Sequence, residues 1–284
     1  MGFHYLPQRY LRGFEAPAEK GAIWMFDKKE ESCKLLPIKL VAQATDFYSE
    51  HVEKSLNIDV EQPGNDVIDK IRSGKAIDET DQLHLTYYIA TMIRRVPHAR
   101  GKGHAMIPQV LAETASEIRT FFEQEYREGR IDSETLAARI AETDAAESKF
   151  RNQPPSEVTN IIETPWPFAS MLLVIHSMYW RLFRSNGPSY FLTSDNPAHF
   201  FEGYGLGHEY CELTFPLCTD LVLHCSWKSG NRNEIQPCPE KLVKEFNRRI
   251  ASGAERFVFY HDQAPWVHSV AKCHPSQLSR INWE

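Results

Sequence analysis

The sequence predicts an α+β fold, with a mixed or antiparallel sheet built from the N- and C-terminal segments and a large helical insertion at about residues 52–185. Three observations predict it. Short apolar runs bounded by turn residues stand near both ends of the chain. Between them, apolar residues recur at spacings of three and four. No Gly/Ser/Pro-rich linker divides the 284 residues, which are expected to form a single domain, 1–284.

Taken in order, Ala22–Asp27 is entered from Gly21 and left through a charged turn at 28–31, and reads as a strand; a second run near 35–40 would complete a hairpin. From about Val52 the period becomes helical, with Val60, Val67, Ile68 and Ile71 recurring until Gly74 interrupts them. Asp78 or Thr80 is a suitable cap for the next helix, in which Leu83, Tyr87, Ala90, Ile93 and Arg94 recur until Pro97. Residues 105–150 read as two polar amphipathic helices divided near 129–132, with Ser133 or Asp132 capping the second.

After Pro154 and Pro155, residues 165–183 carry Met171, Leu172, Leu173, Val174, Ile175 and Trp180. They are expected to form one helix, apolar on most sides and central in the core. Gly187 and Pro188 turn the chain into a strand at 189–194 that ends at Asp195, Asn196 and Pro197. Strands at 213–217 and 221–227, a helix at 239–252 and a strand at 257–260 complete the pattern.

The formal charge of −6 weighs against broad electrostatic adhesion to nucleic acid or anionic lipid, while leaving room for a local basic patch. No signal peptide and no spanning apolar run is visible, so the expectation is a cytoplasmic protein with no membrane partner. Cys33, Cys211, Cys218, Cys225, Cys238 and Cys273 include no C-x-x-C pair, and are expected to be reduced, buried thiols rather than zinc ligands. A G-x-S-x-G elbow, a P-loop, a dinucleotide fingerprint and H-E-x-x-H are all missing. Gly203, Gly205 and Gly207, with Tyr204 and His208, form a loop suited to act as a lid.

Two segments concentrate chemistry. Residues 4–14 hold His4, Gln8, Arg9, Arg12, Tyr5 and Tyr10 together with the apolar Leu6, Leu11 and Phe14. His4 is a candidate general acid/base or metal ligand, and a helix started by Pro7 would place Gln8, Arg9 and Arg12 near one end. The bland alternative is that the aromatic and aliphatic residues dock the segment while its polar groups cap backbone. Thr193, Ser194, Asp195, Asn196 and Pro197 form the second segment; they make good turn chemistry, yet a carboxylate at a strand end also suits a base or a metal ligand, with His199 four residues on.

Arg94 and Arg95 at a helix C-terminus complement its dipole; alternatively Arg95 turns inward as an anion clamp, joining Arg9, Arg12 and Arg100 in a basic pocket. Asn247 stands in mid-helix, where its poor propensity points to a buried hydrogen bond.

The chain resembles the family designated domain of unknown function 4238. The resemblance rests on an H-x-x-P-x-x-Y-L-x-x-F opening at His4, Pro7, Tyr10, Leu11 and Phe14, and on the Thr193 to Pro197 motif. Also similar are a strand at 23–27, Phe47-Tyr48-Ser49, Arg95-x-Pro97, Phe215-Pro216-Leu217 and a helix carrying Asn247. It implies one domain and points to His4, Gln8, Arg95, Asp195 and Asn196. The expected function is a phosphodiester hydrolase, a nuclease of the kind found in bacterial defence or toxin systems. His4 and Asp195 would be catalytic, Gln8, Arg95 and Asn196 would hold substrate, and a divalent metal is a candidate cofactor. A small nucleotide or short single strand is the expected substrate. The alternative is a non-enzymatic ligand- or protein-binding module, and convergence of His4 with Asp195 distinguishes the two.

Overall fold

The computed structural model describes residues 2–45, 49–229, 234–274 and 278–281. Among these the elements are β1 (Gly2–His4), α1 (Gln8–Leu11), β2 (Ala22–Asp27), β3 (Ser32–Pro37), β4 (Gln43–Thr45), α2 (Glu50–Leu56), α3 (Gln62–Arg72), α4 (Glu79–Arg94), α5 (Pro97–Arg127), α6 (Ser133–Asn152), α7 (Ser156–Glu163) and α8 (Ala169–Ser177). They continue as β5 (Tyr179–Arg184), β6 (Thr193–Ser194), β7 (His199–Phe200), β8 (Glu212–Cys218), β9 (Leu221–Ser226), β10 (Ile235–Pro237), α9 (Glu240–Gly253), β11 (Phe257–Tyr260) and α10 (Trp266–Ala271). The chain divides into two compact units, Met1–Pro97 with Pro165–Glu284, and His98–Thr164.

The fold is α+β. In the first unit an antiparallel sheet in the order β3-β2-β11-β6 joins N-terminal to C-terminal strands, with Trp24 opposite Leu35 on one side and Tyr260 on the other. A second sheet, β10-β5-β9-β8-β7, is mixed because β10 runs parallel to β5. Every residue of β8 and β9 is buried, as expected of strands covered on both faces. Helix α9 serves two cores. Val243 and Phe246 pack with Phe183, Phe191 and Val222, while Ile250, Ala251 and the following Ala254 pack with Phe26, Leu192, Val258 and Tyr260.

Local chemistry explains the helix ends. Asp78 caps α4 in a reciprocal capping box with Asp81. Gly74, at φ +74°, takes the left-handed conformation just after α3. Ser49 accepts the Val52 N–H at the start of α2; Phe47 and Tyr48, the other two residues of that motif, lie outside the described residues. Pro97 ends one helix but also opens α5, as proline does at a first helical position. In the second unit Asp132 caps α6, and Arg119 of α5 pairs with Asp144 and Glu147 of α6.

The stretch 165–183 differs from expectation. Only Ala169–Ser177 is helical, Ile175 is its one buried residue and Leu173 is 68% exposed. After Met178 the chain becomes β5, whose Trp180, Leu182 and Phe183 are buried. A continuous apolar run looks the same whether a helix or a doubly covered strand buries it. The strand expected at 189–194 pairs only through Thr193 and Ser194, and the second hairpin strand lies at 32–37. Cys33 is exposed, whereas Cys211, Cys218, Cys225 and Cys238 are buried, and all six cysteines are free thiols.

No helix among the described residues is long and apolar enough to cross a membrane.

Gly64 marks a close helix crossing. A Cβ built there would stand 2.4 Å from Cδ2 of Tyr88, a fully buried ring. Gly64→Ala should therefore lower stability by about 1–3 kcal/mol despite alanine's better helix propensity. Urea unfolding measures this, and an unchanged or raised midpoint would refute the close packing.

Candidate functional site

The N-terminal segment is anchored by Tyr10. Its hydroxyl donates to Pro216 O at 2.9 Å and lies 2.8 Å from Thr193 Oγ1, so the Thr193 hydroxyl is the donor to Tyr10. The Tyr10 ring stacks on Phe215 and meets Phe14 edge-on. The two segments singled out in the sequence do meet, through Tyr10 and Thr193 rather than through His4 and Asp195.

His4 is half-buried. Its Nε2 lies 3.1 Å from Gln43 Nε2 and 3.3 Å from Lys39 O, accepting from the first in one tautomer and donating to the second in the other. Burial lowers its pKa below the ordinary histidine value, outweighing the Lys39 contact and keeping the ring neutral at neutral pH. Arg95 comes to the same place from α4. One nitrogen donates to Glu61 Oε1 and another to the His4 carbonyl, each at 2.5 Å, and Glu53 is 4.0 Å away. Arg95 is only 1% exposed, so this guanidinium fixes backbone and carboxylate rather than presenting an open anion clamp. Burial raises the pKa of Glu53, with Arg95 opposing.

Asp195 is occupied otherwise. Oδ1 accepts the Glu255 N–H at 2.9 Å, and Oδ2 accepts those of Arg256 and Phe257 at 2.7 and 2.8 Å, which staples the α9–β11 connection. Asn196 donates from Nδ2 to Gly253 O at 3.0 Å and holds the other end of the same connection. None of the hydrogen bonds of Asp195 reaches His4. His199 Nε2 is buried with no hydrogen-bond partner among the described residues, and burial lowers its pKa to about 3. Among the described residues no three His, Cys, Asp or Glu side chains group to hold a metal ion, so the donor set does not fit the divalent metal considered for this site.

The predicted basic pocket is distributed differently. Arg9 pairs with Asp66 and Asp69 at 2.7 and 2.6 Å on the surface, and Arg100 of the second unit donates to Glu163 O. Gln8 and Arg12 instead line a groove of about 380 Å³ with Glu19, Lys20, Lys39 and Ile38. Neither Arg12, Lys20, Lys39 nor the Gln8 amide has an ion pair or side-chain hydrogen bond among the described residues. His4 adjoins this groove through Lys39.

Sequence reasoning missed Lys20, Lys39, Glu53 and Glu61, which no local spacing ties to His4 or Arg12. It also missed a buried network in which Arg249 donates to Glu212 at 2.8 Å and to Thr214 at 3.2 Å, with His224 3.2 Å from Glu212. Its one signal was the interruption of apolar strands by Glu212 and His224. Asn247 behaves as expected, with Nδ2 donating to Tyr190 O and Oδ1 accepting the Leu192 N–H.

The fold is thus an α+β sheet assembly whose N-terminal segment is tied to the Thr193 turn and carries a cationic groove. The profile of the family described as "Protein of unknown function (DUF4238)" matches residues 3–264, and the chain belongs to that family. No curated protein and no solved structure matches it.

The Asp195 staple has a pH signature. Burial raises its pKa to about 6, although the three N–H donors oppose this. The folded state holds the proton more tightly than the unfolded chain, so this group makes stability fall as pH rises from about 4 to about 6. Asp195→Asn should remove that slope and cost about 1–3 kcal/mol at pH 7.5, where one N–H loses its acceptor. Urea unfolding at pH 4.5 and 7.5 checks both; a slope retained in the variant would assign it to another group.

Proposed function

We propose that the protein binds a small phosphorylated ligand, a nucleotide or the end of a short single strand, in the groove of Gln8, Arg12, Lys20 and Lys39. The observation that carries this reading is three uncommitted cations and an uncommitted amide around one groove of a protein with net charge −6. Guanidinium and ammonium groups supply charge-assisted donors to phosphoryl oxygens, and the amide adds a neutral donor. Glu19 in the lining disfavours a long polyanion and favours a compact ligand. Arg95, Asp195 and Asn196 serve this site indirectly, by holding the N-terminal segment and the Thr193 turn in place.

Isothermal titration with pyrophosphate and with adenosine monophosphate tests this reading. Arg12→Ala and Lys39→Ala should each weaken binding about tenfold, the loss for one charge-assisted hydrogen bond of about 1.5 kcal/mol. Raised salt should weaken the wild type more than either variant. No heat from the wild type, or equal affinity in all three proteins, would overturn it.

A second reading, phosphodiester hydrolysis, is favoured by one observation: a neutral imidazole, His4, stands beside Lys39 of the groove. A neutral ring can take the proton from an attacking water. On this reading bis(p-nitrophenyl) phosphate is turned over slowly by the wild type and not by His4→Gln. Ligand binding without turnover would leave the protein a binding module.

A further inference from the structure

Residues 278–281 run along the buried Glu212–Arg249 network, which the groove at Gln8 does not use. Three charged side chains read their backbone in succession. Glu245 Oε1 accepts the Ser279 N–H at 2.9 Å, Arg249 Nη2 donates to the Ser279 carbonyl at 2.6 Å, and Glu212 Oε1 accepts the Ile281 N–H at 3.0 Å. Amides two residues apart face the same side, as in an extended strand, and here they meet carboxylates instead of a neighbouring strand. All three reading groups are buried, and Arg249 is fully so.

The side chains of the segment are also received. Ile281 packs against the cluster of Phe183, Phe191, Val222 and Phe246. The Arg280 guanidinium lies 4.5 Å from the Tyr210 ring centroid and 6.0 Å from that of Tyr204, both in the glycine-rich 203–210 loop. Backbone is therefore recognised by charge-assisted bonds, and two adjacent side chains by an aromatic pair and an apolar cluster. This is the division of labour of a peptide-recognition site.

We propose that Glu212, Glu245 and Arg249, with Tyr204 and Tyr210, form a site for an extended peptide in which an arginine precedes an aliphatic residue. The chain's own residues 279–281 are its resident occupant. A partner peptide of that chemistry binds by displacing them, and the resident segment competes at the high effective concentration of a tethered ligand.

The test uses a fluorescein-labelled peptide of the sequence of residues 278–284 and the full chain carrying Arg280→Ala with Ile281→Ser, which weakens the resident segment. The folded variant should bind the peptide at least tenfold more tightly than the wild type by fluorescence anisotropy. Replacing the peptide's arginine by alanine should lower that affinity about tenfold. Equal affinities for variant and wild type, or indifference to the peptide's arginine, would overturn the proposal.

If the variant fails to fold, amide hydrogen exchange at Ser279 and Ile281 of the wild type decides the matter. Exchange that accelerates severalfold with unlabelled peptide supports displacement. A rate unchanged at saturating peptide refutes it.

Discussion

The interaction on which the first unit depends is the buried ion pair between Arg249 of α9 and Glu212 of β8. Taking both charges out of water costs several kcal/mol per ion, and only a full set of partners offsets this. Thr214 and the Ser279 carbonyl accept from Arg249, whose Nε stands 3.5 Å from Glu245, while the Ile281 N–H and His224 stand at hydrogen-bond distance from Glu212. Burial lowers the His224 pKa to about 4, with Glu212 opposing, so the ring is neutral and adds no second cation. Breaking such a pair leaves an uncompensated buried charge, at a cost of about 3–5 kcal/mol.

From α9 the constraint passes outward through hydrogen bonds. Asn247, two residues before Arg249 on the same helix, fixes the backbone of Tyr190 and Leu192. That places Thr193 to meet Tyr10, and Tyr10 anchors the N-terminal segment. Asp195 and Asn196 then bind the chain that leaves α9, closing the circuit on the helix where it began. Residues that read as a reactive cluster in the sequence are therefore largely the fasteners of this circuit.

The cationic groove is a by-product of the same anchoring. Once Tyr10 and Leu11 are buried, Gln8 stays half-buried and Arg12, just after α1, is turned to solvent, both lining the groove with Lys20 and Lys39. Arg9, one residue over, faces α3 instead and is neutralised by Asp66 and Asp69. Arg9 and Arg12 are only three positions apart, so what separates a committed arginine from an uncommitted one is the presence of the α3 carboxylates opposite the first. The acidic charge of the chain is no obstacle to such a site, because screening within about 8 Å at physiological salt makes the local charges decisive.

The sequence by itself determined what depends on near neighbours. Strand Ala22–Asp27, a cap at Asp78 or Thr80 and another at Asp132 or Ser133, the stop at Gly74, the need of Asn247 for partners and the sharing of one sheet by N- and C-terminal strands were all legible, because propensity, capping and turn chemistry act over a few residues. Only the tertiary structure decided the rest. Whether residues 165–183 form helix or strand, whether Asp195 faces a ligand or three backbone amides, and which arginine stays uncommitted depend on groups about 60 to 100 residues away or more. Electrostatics and hydrogen bonding follow distance in space, and a single sequence carries no measure of that distance until the core has packed.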